Sequence, residues 1–287
     1  MKRKDFLKIS GGLALTGLVS PNIFASLAKN DTAAKMKNFG LQLYTLRVDM
    51  PKDPKAVLKQ VAGFGYKQIE GYEGAKGMFW GMSNKEFKSY MDELGLNFVA
   101  SHCDMNKDFE KKAAEAAEIG MKYLICPWLG PQKKIDDFKK FADTFNQKGE
   151  ICKKNGIRFA YHNHAYSFEM LEGQLPQEVM MNNTDASLVD YEMDIYWVVT
   201  GNANPEAWMK KYKNRFRLCH VKDRIRNTTE REASCDLGTG SIDFSKILKT
   251  ARQNGMQYYI VEQERYDGTT PLKAAETGAA YLKGLKI

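Results

Sequence analysis

Residues 139–164, KKFADTFNQKGEICKKNGIRFAYHNH, decide the fold class because they join two kinds of pattern in one stretch. The first part, residues 139–156, is amphipathic and ends in Gly156, the residue type that often follows the last turn of a helix. The second part, residues 157–164, is a short apolar run typical of a buried strand. The stretch therefore predicts a helix followed by a strand with polar side chains at its end.

The same alternation extends along the chain from about residue 37. The candidate strands are FGLQLYTL (39–46), YKQIEGY (66–72), NFVASHC (97–103), KYLICPW (122–128), IRFAYHNH (157–164), SLVDYEMDIY (187–196), RFRLCHVKD (215–223) and QYYIVEQE (257–264). Helical patterns between them include DPKAVLKQVAGFG (53–65), SNKEFKSYMDELG (83–95), DFEKKAAEAAEIG (108–120) and SIDFSKILKTARQNG (241–255).

This alternation of strands and helices predicts parallel strands joined by crossover helices. We expect the α/β class and a single (β/α)8 TIM barrel over residues 37–287, because eight such units can close on themselves. A doubly wound open sheet is the alternative. It is disfavoured because LYTLRVDMPKD (43–53) stands where a glycine-rich phosphate motif would follow the first strand.

The composition narrows the class of protein further. The chain has 287 residues, of which 43% are hydrophobic, and one barrel of this type uses about 250 residues. The five cysteines lack C-x-x-C spacing, so the sequence predicts neither a disulfide framework nor a thiolate metal site. The formal net charge of +8 is interspersed with acidic residues in the helical stretches, which argues against a nucleic-acid groove. We expect no nucleic-acid partner.

Residues 1–28 have the pattern of an export signal. They contain a basic start, a short apolar run, and small residues at Ala25, Ser26 and Ala28. The segment RKDFLK is similar to the twin-arginine pattern, with Lys4 in place of the second arginine, so the general secretory route is also open. We expect this segment to be removed and the mature protein to be periplasmic or otherwise exported, without a membrane anchor. An N-terminal helix is the alternative.

Polar side chains stand at the ends of the predicted strands, where the active site of such a barrel lies. Six of the apolar runs end in Glu70, His102, His162, Asp194, His220 and Glu262. All four histidines of the chain lie at or just beyond such ends. Imidazole nitrogens and carboxylate oxygens that converge on one point are typical of a divalent first-row metal site. We take the four residues from consecutive strands as ligands: His162, Asp194, His220 and Glu262.

Several motifs resemble one known family. They are GLQLYTLR (40–47), YHNHAYSFE (161–169), MDIYWVVTGNANP (193–205), CHVKD (219–223), LGTGSIDF (237–244) and YYIVEQE (258–264). Over about residues 38–287 the chain resembles the xylose isomerase-like, sugar phosphate isomerase/epimerase barrels. The resemblance implies a small-molecule carbohydrate substrate, isomerisation or epimerisation, and one divalent metal held by Glu, Asp, His and Glu from the last four strands.

His162 departs from that family pattern, because it stands where the first glutamate is expected. In the epimerases of the family, the resemblance implies that two glutamate ligands move protons on opposite faces of the sugar carbon. A metal-bound imidazole is a poor proton acceptor, since the metal occupies its lone pair. We therefore expect Glu262 to carry the proton and two-base epimerisation to be disfavoured. The additional nitrogen ligand shifts the preference from Mg toward Mn, Fe, Co, Ni or Zn.

Other strand-end residues receive predicted roles around this centre. We assign catalytic roles to His102, as a hydrogen-bond donor or proton relay, and to Lys222, as a stabiliser of an enolate. The predicted substrate-binding residues are Glu70, His164, Trp197 and Arg265. A keto-glycoside β-elimination on the same metal site and a non-catalytic sugar-binding barrel are the alternative functions. The sequence leaves open the sugar and whether the chain forms a homo-oligomer.

Overall fold

The computed structural model describes residues 35–287, so the predicted export signal lies outside the described residues. The strands are β1 (Gly40–Gln42), β2 (Gln68–Tyr72), β3 (Asn97–His102), β4 (Tyr123–Cys126), β5 (Arg158–His162), β6 (Val189–Asp194), β7 (Phe216–Val221), β8 (Asp223–Arg224), β9 (Ser234–Cys235) and β10 (Tyr258–Val261). The α-helices are α1 (Pro54–Phe64), α2 (Asn84–Glu93), α3 (Phe109–Glu118), α4 (Ile135–Lys154), α5 (Pro176–Asn182), α6 (Ile195–Thr200), α7 (Pro205–Lys211), α8 (Phe244–Gln253) and α9 (Pro271–Gly284). Two short 3-10 helices span Leu43–Leu46 and Ala165–Phe168.

Eight of the strands form a closed parallel barrel in the order β1-β10-β7-β6-β5-β4-β3-β2. β1 closes it by pairing with both β2 and β10, so that Leu41 lies opposite Ile69 on one side and Val261 on the other. The predicted (β/α)8 barrel is therefore confirmed. β8 and β9 form a separate antiparallel ribbon in the segment that leads from β7 to α8.

The helix boundaries follow from local capping chemistry. The Asp53 side chain accepts a hydrogen bond from Ala56 N at the start of α1, and Gly65 ends that helix with a left-handed φ of 94°. Ser83 and Glu86 form a reciprocal capping box at the start of α2. Among the helices of residues 35–287, none has the length and the apolar character needed to cross a membrane.

The barrel interior contains a small apolar cluster beneath the strand ends. Its buried members are Val99, Ala100, Tyr123, Ile125, Ala160, Leu218 and Ile260. Side chains two residues apart on a strand share one face, so Ala160 and Leu218 point to the same interior as His162 and His220. The larger apolar cluster packs the helices against the strands. The polar strand ends thus lie above the interior apolar cluster, and the helices pack around the strands that carry them.

Candidate active site

The four predicted ligands come together at the carboxyl ends of four neighbouring strands. His162 and Asp194 are the last residues of β5 and β6, His220 lies near the end of β7, and Glu262 directly follows β10. All four side chains are buried. One donor atom from each lies within 4.8 Å of the donor atoms of the other three. Residues up to 100 positions apart in the chain therefore form one cluster.

The distances within this ligand cluster are those expected around a single ion. His162 Nε2 lies 3.1 Å from His220 Nδ1 and 3.4 Å from Asp194 Oδ2. His220 Nδ1 lies 3.1 Å from Glu262 Oε2 and 3.5 Å from Asp194 Oδ2. Donor atoms bonded at about 2.0–2.2 Å to one metal would be separated by distances of this order.

Hydrogen bonds on the outer nitrogens of the two histidines direct their inner nitrogens at each other. His162 Nδ1 donates to the carbonyl of Pro127 at 3.1 Å, and His220 Nε2 donates to Glu70 Oε1 at 2.7 Å. The remaining lone pairs would repel across 3.1 Å unless a cation or proton lies between them. Burial lowers the pKa of His162 to about 4, so its imidazole is neutral near pH 7. The donor set therefore fits a divalent metal.

Backbone structure at the strand ends fixes the ligand geometry. Asp194 Oδ1 accepts a hydrogen bond from Trp197 N at 3.0 Å and so caps α6, while Oδ2 faces the cluster. The Asn163 side chain donates to Asp194 O and accepts from Asp194 N, both at 3.2 Å. Asn163 therefore ties the end of β5 to the end of β6. The sequence analysis missed this role, although Asn163 stands directly after the first ligand.

Lys222 lies at the edge of the ligand cluster. Its Nζ is 2.9 Å from both Asp194 Oδ2 and Glu262 Oε2, and 2.7 Å from Glu264 Oε1. Burial would raise the pKa of the two ligand carboxyls, but the Lys222 ammonium and the neighbouring histidines together outweigh it and hold the pKa of Asp194 and Glu262 well below the usual range. The same carboxylates raise the pKa of Lys222 against burial. Both acids and the amine are therefore charged.

A second polar layer lies against the first and shares His220 with it. Its other members are Glu70, His102 and Glu192, all with donor atoms within 4.8 Å of one another. His102 Nε2 lies 2.8 Å from Glu192 Oε2, and Gln42 Nε2 donates to Glu70 Oε1 at 2.6 Å. These lengths are those of direct hydrogen bonds. The second layer therefore orients the His220 ring through the hydrogen bond between His220 Nε2 and Glu70.

The charges of this second layer depend on burial and on the close approach of its carboxylates. Burial and the charge of Glu70 raise the pKa of Glu192 to about 8. Burial opposes protonation of His102, but Glu70 and Glu192 outweigh it and raise the pKa of His102 to about 9. The sequence analysis missed Glu192. The available signal was its position two residues before Asp194, which places both on the same face of β6.

The remaining predicted residues divide between a main cleft and a smaller one beside it. The main cleft has a volume of about 610 Å³, and His102, His162, His164 and Glu262 line it. The smaller cleft, of about 280 Å³, is lined by Lys222, Trp197 and Arg265, and Arg265 is also ion-paired with Asp267 at 2.6 Å. Glu264 lines both clefts.

Glu70 lies apart from both clefts. Its side chain has no exposed surface and accepts hydrogen bonds from His220 and Gln42. This position suits support of a ligand better than the predicted contact with substrate. His164 is closer to that prediction, because it lines the main cleft and its buried Nδ1 has no hydrogen-bond partner among the described residues.

Comparison with known proteins identifies similar barrels. Residues 58–285 match the model of the xylose isomerase-like TIM barrel family. A crystal structure of a sugar phosphate isomerase/epimerase from Parabacteroides distasonis is 31% identical, covers 88% of this chain and 95% of that chain, and has a TM-score of 0.75. The inosose dehydratase of Clostridium beijerinckii is 27% identical over 164 residues, which are 52% of this chain and 54% of that protein. The chain thus spans about half the length of this curated relative.

A more distant structure shares the fold alone. The IOLI protein, solved with a zinc atom bound, is 16% identical, covers 85% of this chain and 95% of that chain, and has a TM-score of 0.68. At this identity the likeness concerns the barrel, and the zinc belongs to that protein.

Proposed function

The chain belongs to the family of xylose isomerase-like TIM barrels, and we propose that it is a metal-dependent enzyme that removes a proton from the carbon beside the carbonyl group of a sugar or keto-sugar. One observation carries the proposal, namely the convergence of His162, Asp194, His220 and Glu262 on one point at the main cleft. These residues would hold one divalent ion. When bound, it would polarise neighbouring oxygen atoms of the sugar and weaken the adjacent C–H bond. Two imidazoles in the donor set favour Mn, Fe, Co, Ni or Zn over Mg.

Glu262 is the proposed base. Its carboxyl group lines the main cleft, and Lys222 and His220 together lower its pKa against burial, which keeps it ionised. The C–H bond of the sugar breaks, its proton moves to the Glu262 carboxylate, and the electron pair moves onto the carbonyl oxygen. Lys222 Nζ, 2.9 Å from Glu262 Oε2, supplies positive charge beside the negative charge that develops. The hydroxyl proton on the carbon that lost its hydrogen then moves to the former carbonyl oxygen, and return of the carbon-bound proton from Glu262 to the neighbouring carbon completes an isomerisation.

Elimination is the second candidate reaction, and two observations favour it. The fifth strand ends in His162, so the ligand cluster offers one carboxylate, Glu262, in contact with the cleft. The similar inosose dehydratase bears the name of an enzyme that eliminates water. In this reaction Glu262 takes the proton, the electron pair forms a double bond, and the substituent on the next carbon leaves. His102, which also lines the cleft, would protonate the departing oxygen.

A neutral carbohydrate suits the main cleft better than a phosphorylated one. Four carboxylates line the cleft, Glu73, Asp104, Glu262 and Glu264, and Lys107 is the one basic side chain of lysine or arginine type among its lining residues in the described chain. Among these lining residues a phosphate dianion would find one lysine or arginine partner, Lys107, whereas the hydroxyl groups of a free or glycosidic sugar can donate hydrogen bonds to the acids. We therefore propose a substrate without phosphate.

We also propose that the protein is exported. The support is the pattern of basic, apolar and small residues within residues 1–28. An exported enzyme meets free and glycosidic sugars, which agrees with the acidic lining of the cleft. Mass spectrometry of cell fractions tests this proposal, and a chain that retains Met1 in the cytosol would contradict it.

Metal analysis and solvent deuterium exchange test the function together. The purified protein is expected to contain one divalent ion per chain and to exchange one carbon-bound hydrogen of its sugar with solvent deuterium. A metal-free sugar-binding barrel would bind sugars without either property. Protein that carries stoichiometric metal but exchanges no hydrogen in any keto-sugar, aldose or glycoside tested would overturn the proposed reaction.

A further inference from the structure

Two exposed aromatic side chains face the main cleft. In residues 35–287 the large hydrophobic side chains that remain exposed are Tyr44, Val48, Trp128 and Met170. Two of these, Tyr44 at 39% and Trp128 at 55% exposure, line the main cleft. An exposed indole at the rim of a cleft is unfavourable in water unless a ligand covers it, so its position points to a binding surface.

The backbone holds Trp128 in a fixed position relative to the ligand cluster. The carbonyl of Pro127, one residue before it, accepts the hydrogen bond from His162 Nδ1. On the other side, Leu129 N donates to the hydroxyl of Tyr166 at 3.1 Å. The Gln132 side chain donates to Leu129 O at 2.8 Å. The loop that carries the indole is therefore hydrogen-bonded directly to His162, one of the four predicted metal ligands.

Two aromatic rings lie beside the indole side chain. The Trp128 ring centroid lies 5.8 Å from that of His164 and 6.5 Å from that of Tyr166. The indole thus extends an aromatic wall that begins at His164, beside the ligand cluster, and runs outward to the rim.

Tyr44 lines the same cleft on a different element, the short 3-10 helix Leu43–Leu46. Its ring meets Tyr72 edge to face, with centroids 5.2 Å apart. The Arg47 guanidinium lies 4.9 Å from the Tyr44 ring centroid and donates to the carbonyl of Glu264 at 2.8 Å. Tyr44 and Trp128 therefore offer two exposed aromatic surfaces within one cleft.

The polar groups of the outer cleft are mainly hydrogen-bond acceptors. Glu73 Oε2 accepts from Asp104 N at 2.9 Å and from Lys112 Nζ at 2.7 Å, which fixes this carboxylate at the rim. Asp104 and Lys107 line the same region. Acceptors beside aromatic surfaces suit a sugar ring, since its hydroxyl groups donate to the acids and its C–H faces pack on the rings.

We propose that the outer part of the main cleft is a subsite for the second ring of a neutral glycoside, packed on Trp128 and faced by Tyr44. This inference rests on the proposed function, because the ligand cluster places the reacting ring at the inner end. The cleft volume of about 610 Å³ lies within the range of about 300–1,000 Å³ that accommodates drug-sized ligands, more than one hexose ring requires. The substrate class is thus a glycoside with a ring on each side of the linkage.

Isothermal titration calorimetry with glucose, cellobiose and phenyl β-glucoside tests the subsite. The unmodified protein is expected to bind the two-ring probes about tenfold more tightly than glucose, which is the scale of one aromatic contact. Trp128→Ala should abolish this preference and leave glucose binding unchanged, whereas Trp128→Phe should retain most of it. Met170→Ala, which removes an exposed side chain outside the cleft, serves as the matched control.

Two results would overturn the subsite. One is an equal affinity of the unmodified protein for glucose and for both two-ring probes, and the other is an equal loss for all three probes in Trp128→Ala. Failure of the proposed reaction is distinguishable, because hydrogen exchange depends on Glu262. If the protein prefers two-ring probes but exchanges no hydrogen, the subsite is supported and the proposed reaction is wrong. If the protein exchanges hydrogen but binds glucose and the two-ring probes equally well, the proposed reaction is supported and the subsite is wrong.

Discussion

At the scale of single residues, His162 distinguishes this site from the pattern that the family resemblance implies. Its imidazole is neutral, held by the carbonyl of Pro127, and directed at His220. The site therefore has two nitrogen and two carboxylate donors. Of the two carboxylates, Glu262 lines the main cleft, while Asp194 also caps α6. In the proposed reaction, proton transfer is therefore concentrated on Glu262.

Glu262→Gln is expected to retain much of the metal and to lose catalysis. The amide oxygen can still act as a weaker ligand, but it cannot accept the proton, so the rate should fall by about 10²–10⁴-fold. Two quantities are measured for each variant, namely the rate of solvent deuterium exchange into the sugar and the metal content of the protein. Glu264→Gln, two residues away in the same cleft, is the matched control and should lose far less. An equal loss of exchange rate in both variants would contradict the assignment of Glu262 as the base.

His162→Glu is expected to restore the carboxylate that the family pattern predicts at the fifth strand. Replacing a nitrogen donor by an oxygen donor should shift metal preference toward Mn or Mg. A carboxylate on the opposite face of the sugar carbon can return a proton to that face. Epimerisation should therefore increase relative to exchange on the face of Glu262 alone. Competition binding of Mn and Zn, with deuterium mapping at single carbons, measures both effects. Efficient two-face exchange by the unmodified protein would show that His102 or another residue already acts as a second base.

Lys222→Met is expected to destabilise the metal-free protein strongly. It removes a buried ammonium that lies 2.9 Å from two carboxylate oxygens, and the uncompensated charges should cost about 3–5 kcal/mol of unfolding free energy. Added divalent metal should recover part of the loss, since it supplies positive charge to the same oxygens. Urea unfolding with and without chelator measures this difference. If added metal does not reduce the loss of stability, the prediction that Lys222 and the metal neutralise the same carboxylates is wrong.

At the scale of elements, the period of two along a strand builds both polar layers. The strand ends carry polar side chains two residues apart, in the pairs His162 and His164, Glu192 and Asp194, His220 and Lys222, and Glu262 and Glu264. Such pairs point to the same interior at different heights. In this way β6 contributes Glu192 to the second layer and Asp194 to the ligand cluster, while the other three pairs each join a predicted ligand to a residue that lines a cleft.

The capping box of α2 offers a test at this scale. Ser83→Ala should lower the unfolding free energy by about 0.5–2 kcal/mol, because the Glu86 backbone N–H loses its side-chain acceptor. Ser89→Ala in the exposed middle of the same helix should be neutral or slightly stabilising, since alanine is the better helix former there. Chemical unfolding of the two variants compares them directly. A similar effect of both substitutions would contradict the capping role.

At the scale of the whole molecule, closure of the barrel brings distant strands face to face across the interior. Glu70 on β2 meets His220 on β7, 150 residues away in sequence, at 2.7 Å. His102 on β3 meets Glu192 on β6 at 2.8 Å. The ligand cluster therefore depends on the closed barrel, and a metal bound to it should stabilise the entire fold.

Metal binding is accordingly expected to raise the unfolding temperature in a concentration-dependent way. A ligand that binds only the folded state at 100 times its Kd adds about 2.7 kcal/mol to the unfolding free energy. Thermal unfolding across a titration of Zn or Mn should show this rise in the unmodified protein, and Asp194→Ala should lose most of it. An equal rise in the variant would place the metal elsewhere.

The barrel and the four ligand candidates could be predicted from the sequence alone. Both follow from local patterns, namely alternating strands and helices and polar residues at the strand ends, and the active site of this fold always lies at those ends. Which side chains meet across the interior could not be predicted from the sequence and became visible in the folded barrel. Glu192 supports His102 and Glu70 supports His220 because strand tilt and closure set their heights, which no local pattern encodes. The exposure of Trp128 likewise depends on how the loop after β4 packs against β5, a long-range contact.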